Sequence, residues 1–183
     1  NLRGINMYNA CVYNDTILAG LDYLLMEMDK RKMVAVLYLN NSWEWSGGYG
    51  YYLEQAGLGK APRPDEDGYS AFMNFVAQYA SCDKAHQLFY DYVRFILTRT
   101  NRYTKKKYKD DPAIMSWQIG NEPRAFSKEQ LPAFEKWLGE TSKLIRSLDK
   151  NHLISIGSEG KWGCENELDC WERICADRNV DYC

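Results

Sequence analysis

Short apolar runs alternate with amphipathic helical segments along the whole chain of 183 residues. Three uninterrupted runs are typical of strands covered on both faces, and they span residues 33–39, 113–119 and 153–157. A further strand begins at Val180. Apolar residues at helical spacing predict helices over residues 15–32, 83–103, 127–148 and 165–176. Strands joined by helical crossovers run parallel, so this order indicates a doubly wound sheet or a (β/α)8 barrel.

Local signals predict the helix ends and one long connection. Asp15 is predicted to cap the first helix, and Ser127 with Gln130 forms a capping box for the third. Residues 40–70 are rich in glycine and proline and are predicted as a loop, and loops of this length within compact domains are usually functional. The chain contains no GxGxxG or Walker motif, which disfavours a nucleotide-binding doubly wound sheet.

The composition excludes several classes of protein. Aromatic residues make up 14% of the chain, whereas disordered chains are poor in aromatics. The formal net charge is -2 and no basic stripe is present, which argues against a nucleic-acid partner. No run approaches the roughly 18 apolar residues that predict a membrane span. No metal or organic cofactor signature is present, and we expect none to be needed.

Six cysteines are present, and four of them lie in the last twenty residues. No CxxC motif occurs, and their spacing matches no zinc pattern. An even count permits disulfides, although free buried thiols are an equally good reading. If the protein is secreted, the expected bridge joins Cys164 to Cys170 or Cys175.

Polar side chains follow each predicted strand at its carboxyl end, where function collects in α/β folds. These ends read NNSWEWSGG over residues 40–48, GNEPR over 120–124 and GSEGKW over 157–162. Indole rings beside carboxylates and amides suit sugars, whose C–H faces stack on rings and whose hydroxyls need polar partners. Glu122 is a candidate acid, because a carboxylic acid placed here can protonate a glycosidic oxygen. The alternative for Glu122 is a loop ion pair with Arg124.

The same segments resemble a known family. WQIGNEPR over residues 117–124 resembles the W-x-x-x-N-E-P-R signature of glycoside hydrolase family 5, and DDPAI over residues 110–114 strengthens the match. LNNSWEWSGG over residues 39–48 and GSEG over residues 157–160 resemble the endo-β-1,4-mannanases of that family. The motifs occur in the family's order, and the resemblance covers nearly the whole chain from about Tyr13.

The resemblance implies a (β/α)8 barrel, also called a TIM barrel, that hydrolyses internal β-1,4-mannosidic bonds with retention. Glu122 would be the general acid/base, and Asn121 would hydrogen-bond the sugar 2-hydroxyl. Trp43, Arg124 and Glu159 would line the leaving-group side of the cleft. The implied partner is a β-mannan or glucomannan polysaccharide, with no nucleic acid and no membrane. The implied location is secreted, cell-surface or periplasmic.

The chain also departs from the family pattern. The family's nucleophile is a Glu at the end of the seventh strand, and it has no match here, where about strands three to six are recognised. A complete barrel needs about 250 residues, so residues 1–183 are interpreted as a single partial catalytic domain. We expect a curved parallel sheet of three to four strands with one open side, which missing barrel segments or another chain would cover.

Two other functions stay open. The chain could be a non-catalytic carbohydrate-binding fragment, because it lacks a match for the nucleophile. The complete enzyme could instead have another family 5 activity, such as cellulase. Glu159 could act as a second carboxylate at about 5–5.5 Å from Glu122 for retention, or about 6.5–9.5 Å for inversion. Its position in the family, however, matches a substrate-binding residue.

Overall fold

The computed structural model describes residues 8–9, 12–46 and 48–183. Its strands are β1 (Tyr8–Asn9), β2 (Val12–Tyr13), β3 (Ala35–Tyr38), β4 (Ile114–Gln118) and β5 (Leu153–Ser155). Its helices are α1 (Asp15–Lys30), α2 (Gly48–Ala56), α3 (Pro64–Asp67), α4 (Tyr69–Val76), α5 (Asp83–Thr98), α6 (Leu131–Leu148) and α7 (Leu168–Cys175). In the described part of the chain, no helix combines the length and the apolar character that crossing a membrane requires.

The three main strands form a parallel sheet in the order β3-β4-β5. Leu37, Trp117 and Ile154 lie side by side in this register, and both Trp117 and Ile154 are fully buried. Each of these strands pairs with the next one along the chain. Right-handed crossovers that always connect to the neighbouring strand on the same side place all of their helices on one face of the sheet. This arrangement agrees with a barrel segment and confirms the predicted parallel strands.

The opposite face of the sheet is open at β3 and β5, whereas Ser116 in its middle strand is fully buried. Val36, Tyr38 and Leu153 lie on this face and are 42%, 51% and 42% exposed. The prediction that the strands are covered on both faces is therefore wrong for this chain, whereas the predicted open side is present. In a closed barrel such positions point into the filled interior.

The predicted fourth strand is represented by a single β-bridge. Ser155 forms a single parallel bridge with Tyr182, and the Tyr182 hydroxyl lies 2.6 Å from the hydroxyl of Ser116 on the neighbouring strand. The sheet therefore has three full strands and the beginning of a fourth at its β5 edge, within the predicted range.

The prediction of a loop over residues 40–70 is wrong, because much of this segment is helical. Tyr49, Tyr52 and Leu53 share one buried face of α2, and the Tyr49 ring stacks on Tyr79 with centroids 3.9 Å apart. Burial of these rings stabilises α2 despite the low helix propensity of its glycines. The spacing of the tyrosines was the signal that the glycine content obscured.

Several predicted helix ends differ from the observed ones. Asn14, and not Asp15, caps α1, because its side-chain oxygen accepts hydrogen bonds from the backbone of Thr16 and Ile17. The capping box at Ser127 is not formed, since a 3-10 turn precedes α6 and Ser127 makes no capping hydrogen bond. The last helix is also shorter than predicted.

The helix predicted over residues 83–103 ends at Thr98. Beyond this point Arg99 turns inward and its guanidinium donates two hydrogen bonds to the carboxylate of Asp22, at 3.0 and 2.6 Å. Asp22 is fully buried in α1, and the Tyr108 hydroxyl also donates to it at 2.6 Å. A buried carboxylate needs such partners, and Arg99 supplies them at the point where the backbone leaves the helical conformation.

The cysteines pair differently from the expectation. A disulfide joins Cys175, at the end of α7, to Cys183, with the two Cα atoms 5.9 Å apart, a normal disulfide spacing. Cys164 and Cys170 are buried free thiols and Cys82 is a half-buried one, so the predicted bridge from Cys164 is wrong. Cys11 lies outside the described residues.

A buried pair beneath β4 makes stability dependent on pH. The Asp149 carboxylate accepts hydrogen bonds from the Trp117 indole and from His152, both at 2.7 Å, and the second His152 nitrogen lies 3.0 Å from the Asp111 carbonyl. Burial alone would raise the pKa of Asp149, but these hydrogen bonds lower it to about 2. Burial alone would lower the pKa of His152, but Asp149 outweighs it and the pKa is raised.

We expect this pair to stabilise the fold fully between about pH 4 and about pH 6.5. The His152 contribution is complete below its unfolded pKa of about 6.5 and is lost as the pH rises through the raised folded value. The Asp149 contribution is lost as the pH falls towards 2. Urea unfolding of the full-length protein should therefore show that His152→Gln costs more free energy of unfolding at about pH 5.5 than at about pH 8.

His86 provides the control for this experiment. Burial lowers the pKa of His86, so its protonation opposes folding, and the cost of His86→Gln should not fall between the same two pH values. An equal cost of His152→Gln at both pH values would contradict the prediction.

Candidate functional site

The candidate site lies where the segments after β3, β4 and β5 meet. Pairing continues beyond the strands, because Asn41 and Asn121 form a parallel bridge and the Asn121 N–H donates to the Asn40 carbonyl at 2.8 Å. The Glu122 N–H donates to the Gly157 carbonyl at 3.1 Å. The three strand ends singled out in the sequence are thus held side by side, except that Gly47 lies outside the described residues.

Gly157 is required for this close approach. Its backbone is left-handed, with φ of +78°, and a Cβ atom at this position would lie 2.1 Å from the Gly120 carbonyl oxygen. Any side chain would therefore push apart the second and third strand ends. Glycine adopts this conformation without steric cost.

Glu122 is half-buried at the centre of the site. Its φ is +51°, a left-handed conformation that is uncommon outside glycine and that tends to occur at functional sites. The Trp43 indole N–H donates to the Glu122 carboxylate at 2.7 Å. The carboxylate is therefore held through both its backbone and its side chain.

Trp43 is half-buried within a cluster of aromatic rings. The Phe126 ring meets it edge-on at 5.4 Å and Tyr69 does so at 6.2 Å. Phe72 stacks beside it at 6.3 Å, and Trp45 lies at 6.0 Å. About half of the surface of Trp45 and of Tyr69 is exposed, so an aromatic surface extends from the carboxylate to solvent.

Arg124 joins the aromatic cluster to a second carboxylate. Its guanidinium carbon lies 5.8 Å from the centroid of the Trp43 ring, within cation–π range, and its Nε atom is 3.0 Å from a carboxylate oxygen of Glu159. The alternative pairing of Arg124 with Glu122 is not formed. Burial raises the pKa of Glu159, and the charge of Glu122 adds to this rise while Arg124 opposes it.

Asn121 is half-buried next to Asn40 and Asn41, which were predicted only as part of the first strand end and had no individual role. Its amide nitrogen lies 3.4 Å from the Asn41 side-chain oxygen, which also accepts a hydrogen bond from the Trp43 backbone at 3.0 Å. The Asn40 side chain donates to the Tyr79 hydroxyl at 3.0 Å. Two consecutive amides directly after a strand were the signal for this support.

All five predicted site residues therefore gather at one edge of the sheet. The arrangement offers a carboxyl group, an ion-paired carboxylate and an exposed aromatic surface, which together suit a neutral polyhydroxylated ligand. Among the described residues, no group of three or more His, Cys, Asp or Glu side chains is placed to hold a metal ion.

Comparisons with known proteins agree with this arrangement. A family model described as GH family 5 beta-mannosidase-like matches residues 2–183. Mannan endo-1,4-beta-mannosidase 4 of Solanum lycopersicum is 35% identical over 153 residues, which are 83% of this chain and 36% of that protein. Mannan endo-1,4-beta-mannosidase 1 of Arabidopsis thaliana is 32% identical over 151 residues, covering 82% of this chain and 33% of that protein. The chain thus spans about a third of these relatives.

Solved structures match over a similar share. A glycoside hydrolase family 5 mannosidase from Rhizomucor miehei, a mutant in complex with mannosyl-fructose, superposes with a TM-score of 0.83 and 34% identity over 95% of this chain and 41% of that one. An endo-1,4-beta-mannanase from the same organism gives a TM-score of 0.75 and 27% identity, covering 93% of this chain and 49% of that one. The parallel strands and their connecting helices are therefore part of a (β/α)8 barrel. This chain belongs to the β-mannosidase-like group of glycoside hydrolase family 5.

Proposed function

We propose that the chain is part of a single catalytic domain that hydrolyses internal β-1,4-mannosidic bonds in mannan or glucomannan with retention. The observation that carries this proposal is the contact between Glu122 and Trp43, which places a carboxyl group beside an aromatic surface at the ends of barrel strands. Family 5 membership and the names of the curated relatives support the choice of mannan.

In the proposed mechanism, Glu122 donates a proton to the glycosidic oxygen as the bond to the sugar C1 breaks. A carboxylate elsewhere in the full-length protein attacks C1 to form the glycosyl-enzyme, and Glu122 then removes a proton from the attacking water. We assign the nucleophile to no residue of this chain. Glu159 is not assigned that role, because its position matches a substrate-binding residue of the family.

The remaining residues are proposed to bind the substrate. Asn121 would hydrogen-bond the 2-hydroxyl of the sugar whose bond is broken. The leaving-group portion would be contacted by Trp43, Arg124 and Glu159. Its sugar ring would stack on the indole, and its hydroxyls would hydrogen-bond to the Arg124–Glu159 ion pair. The Cys175–Cys183 disulfide supports a secreted or cell-surface location, since disulfides persist in oxidising compartments.

A second candidate is the removal of single mannose units from a chain end. It is favoured by the description of the matching family as β-mannosidase-like and by the likeness to the Rhizomucor miehei mannosidase. The residues of this chain would have the same roles in either reaction, because the choice depends on how far the cleft extends beyond the reacting sugar.

Digestion of several polysaccharides by the full-length protein tests the proposal. We expect mannan and glucomannan to lose viscosity early and to release mannobiose and mannotriose, with little release from carboxymethylcellulose. Release of mannose alone would support the second candidate, and preferential cleavage of carboxymethylcellulose would contradict both. Calorimetric binding of manno-oligosaccharides without cleavage would support a carbohydrate-binding role instead.

A further inference from the structure

We propose that Trp43 is a positioning residue that determines which oxygen of the Glu122 carboxyl group carries the transferable proton. This inference rests on the proposed function and goes beyond a stacking role for the indole ring. Its starting observation is the hydrogen bond of 2.7 Å from the Trp43 Nε1 atom to the Glu122 Oε2 atom.

The direction of this hydrogen bond carries the argument. An indole N–H can donate but cannot accept, and in a protonated carboxyl group the carbonyl oxygen is a much better acceptor than the hydroxyl oxygen, so the contact selects Oε2 as the carbonyl oxygen. The protonated form therefore carries its hydrogen on Oε1. Within the part of the chain that the structure describes, Oε2 is the Glu122 carboxylate oxygen that accepts a hydrogen bond, which leaves Oε1 available to the substrate.

The indole ring is fixed strongly enough to impose this choice. Phe126 packs edge-on against it at 5.4 Å and Phe72 lies alongside at 6.3 Å. The Trp43 backbone N–H donates to the buried Asn41 side chain at 3.0 Å. Rotation of the ring would disrupt these contacts, so the N–H direction is set by the loop and the aromatic cluster.

The other end of the pair is also fixed. The backbone of Glu122 is left-handed and is tied to the Gly157 carbonyl, so the side chain starts from a constrained position. When the Oε1 proton passes to the glycosidic oxygen and the C1–O bond breaks, the carboxyl group becomes a carboxylate. The indole N–H then donates to a full negative charge, and such charge-assisted hydrogen bonds are stronger than neutral ones.

Replacement of Trp43 by Phe in the full-length protein tests the inference, because it keeps an aromatic ring and removes the N–H. The substrates are aryl β-mannosides with different leaving groups. For phenyl mannoside, whose leaving group requires protonation, we expect kcat/KM to fall about 10- to 100-fold, since a displaced catalytic group costs on the order of 100-fold. For dinitrophenyl mannoside, whose leaving group departs without protonation, only the stacking contribution of the indole is reduced, so we expect a loss in kcat/KM at least about threefold smaller than that for phenyl mannoside.

A purely stacking or structural role would lower kcat/KM for both substrates by the same factor, and that result would overturn the inference. Trp171→Phe is the matched control. Trp171 is half-buried on α7, and its indole nitrogen has no hydrogen-bond partner among the described residues. This control should leave both values unchanged.

A measurement independent of activity separates this inference from the proposed function. The indole N–H resonance of Trp43, assigned by its loss in Trp43→Phe, should lie downfield and should move upfield in Glu122→Ala. If it does not move, the hydrogen bond is absent and the inference fails, even in an active enzyme. If the resonance moves but the enzyme cleaves neither mannosides nor mannan, the hydrogen bond is present and the proposed function fails. The inference is then overturned as well, because Glu122 transfers no proton to a glycosidic oxygen.

Discussion

Replacement of Glu122 by Gln in the full-length protein is expected to lower kcat/KM for mannan by about 10²- to 10⁴-fold, the usual contribution of a general acid/base. The amide has nearly the same shape as the carboxyl group, but it cannot give up a proton to the glycosidic oxygen. The Trp43 indole can still donate to the amide oxygen, so the site should keep its geometry. Initial rates of reducing-sugar release measure the effect.

Glu172→Gln provides the control, because Glu172 is an exposed carboxylate on α7. This variant should retain the wild-type rate. Wild-type turnover of mannan by Glu122→Gln would show that Glu122 is not the acid, whatever the substrate range of the enzyme. The assignment would also be contradicted if Glu122→Gln lowered kcat/KM for dinitrophenyl mannoside by the same factor as for mannan, since the dinitrophenyl leaving group needs no proton.

Replacement of Asp22 by Ala is expected to lower the free energy of unfolding by about 3–5 kcal/mol, because removal of one partner from a buried ion pair leaves the other uncompensated. Arg99 is largely buried against Asp22, and the buried Tyr108 hydroxyl would lose its acceptor. Urea unfolding should show the loss as a lower midpoint with an unchanged slope.

Asp29→Ala is the matched control on the same helix. Asp29 pairs with Lys106 at 3.2 Å, and both side chains are about 40% exposed. Exposed ion pairs contribute about 0–1 kcal/mol, so this variant should unfold close to the wild-type midpoint. Equal losses for Asp22→Ala and Asp29→Ala would show that burial does not set the strength of the Asp22 pair.

The positions of the three site segments were predictable from the sequence. Apolar runs set where each strand ends, and parallel strands bring their carboxyl ends to one edge, so Glu122 and Glu159 could be expected in the same cleft. The segment at residues 40–70 was mispredicted for a physical reason. Its glycines argue against helix, but the burial of Tyr49 and Tyr52 contributes more than the glycine propensity costs.

The amino-acid sequence by itself determined the alternation of strands and helices, the family and the edge of the sheet at which the site lies, because periodicity and motif spacing are local properties of the chain. Only the tertiary structure decided the partners. Arg124 pairs with Glu159 and not with nearby Glu122, and Trp43 donates to a carboxylate that is distant in sequence. Ion pairs and hydrogen bonds depend on distance and direction in space, and the packing of β3, β4 and β5 sets both.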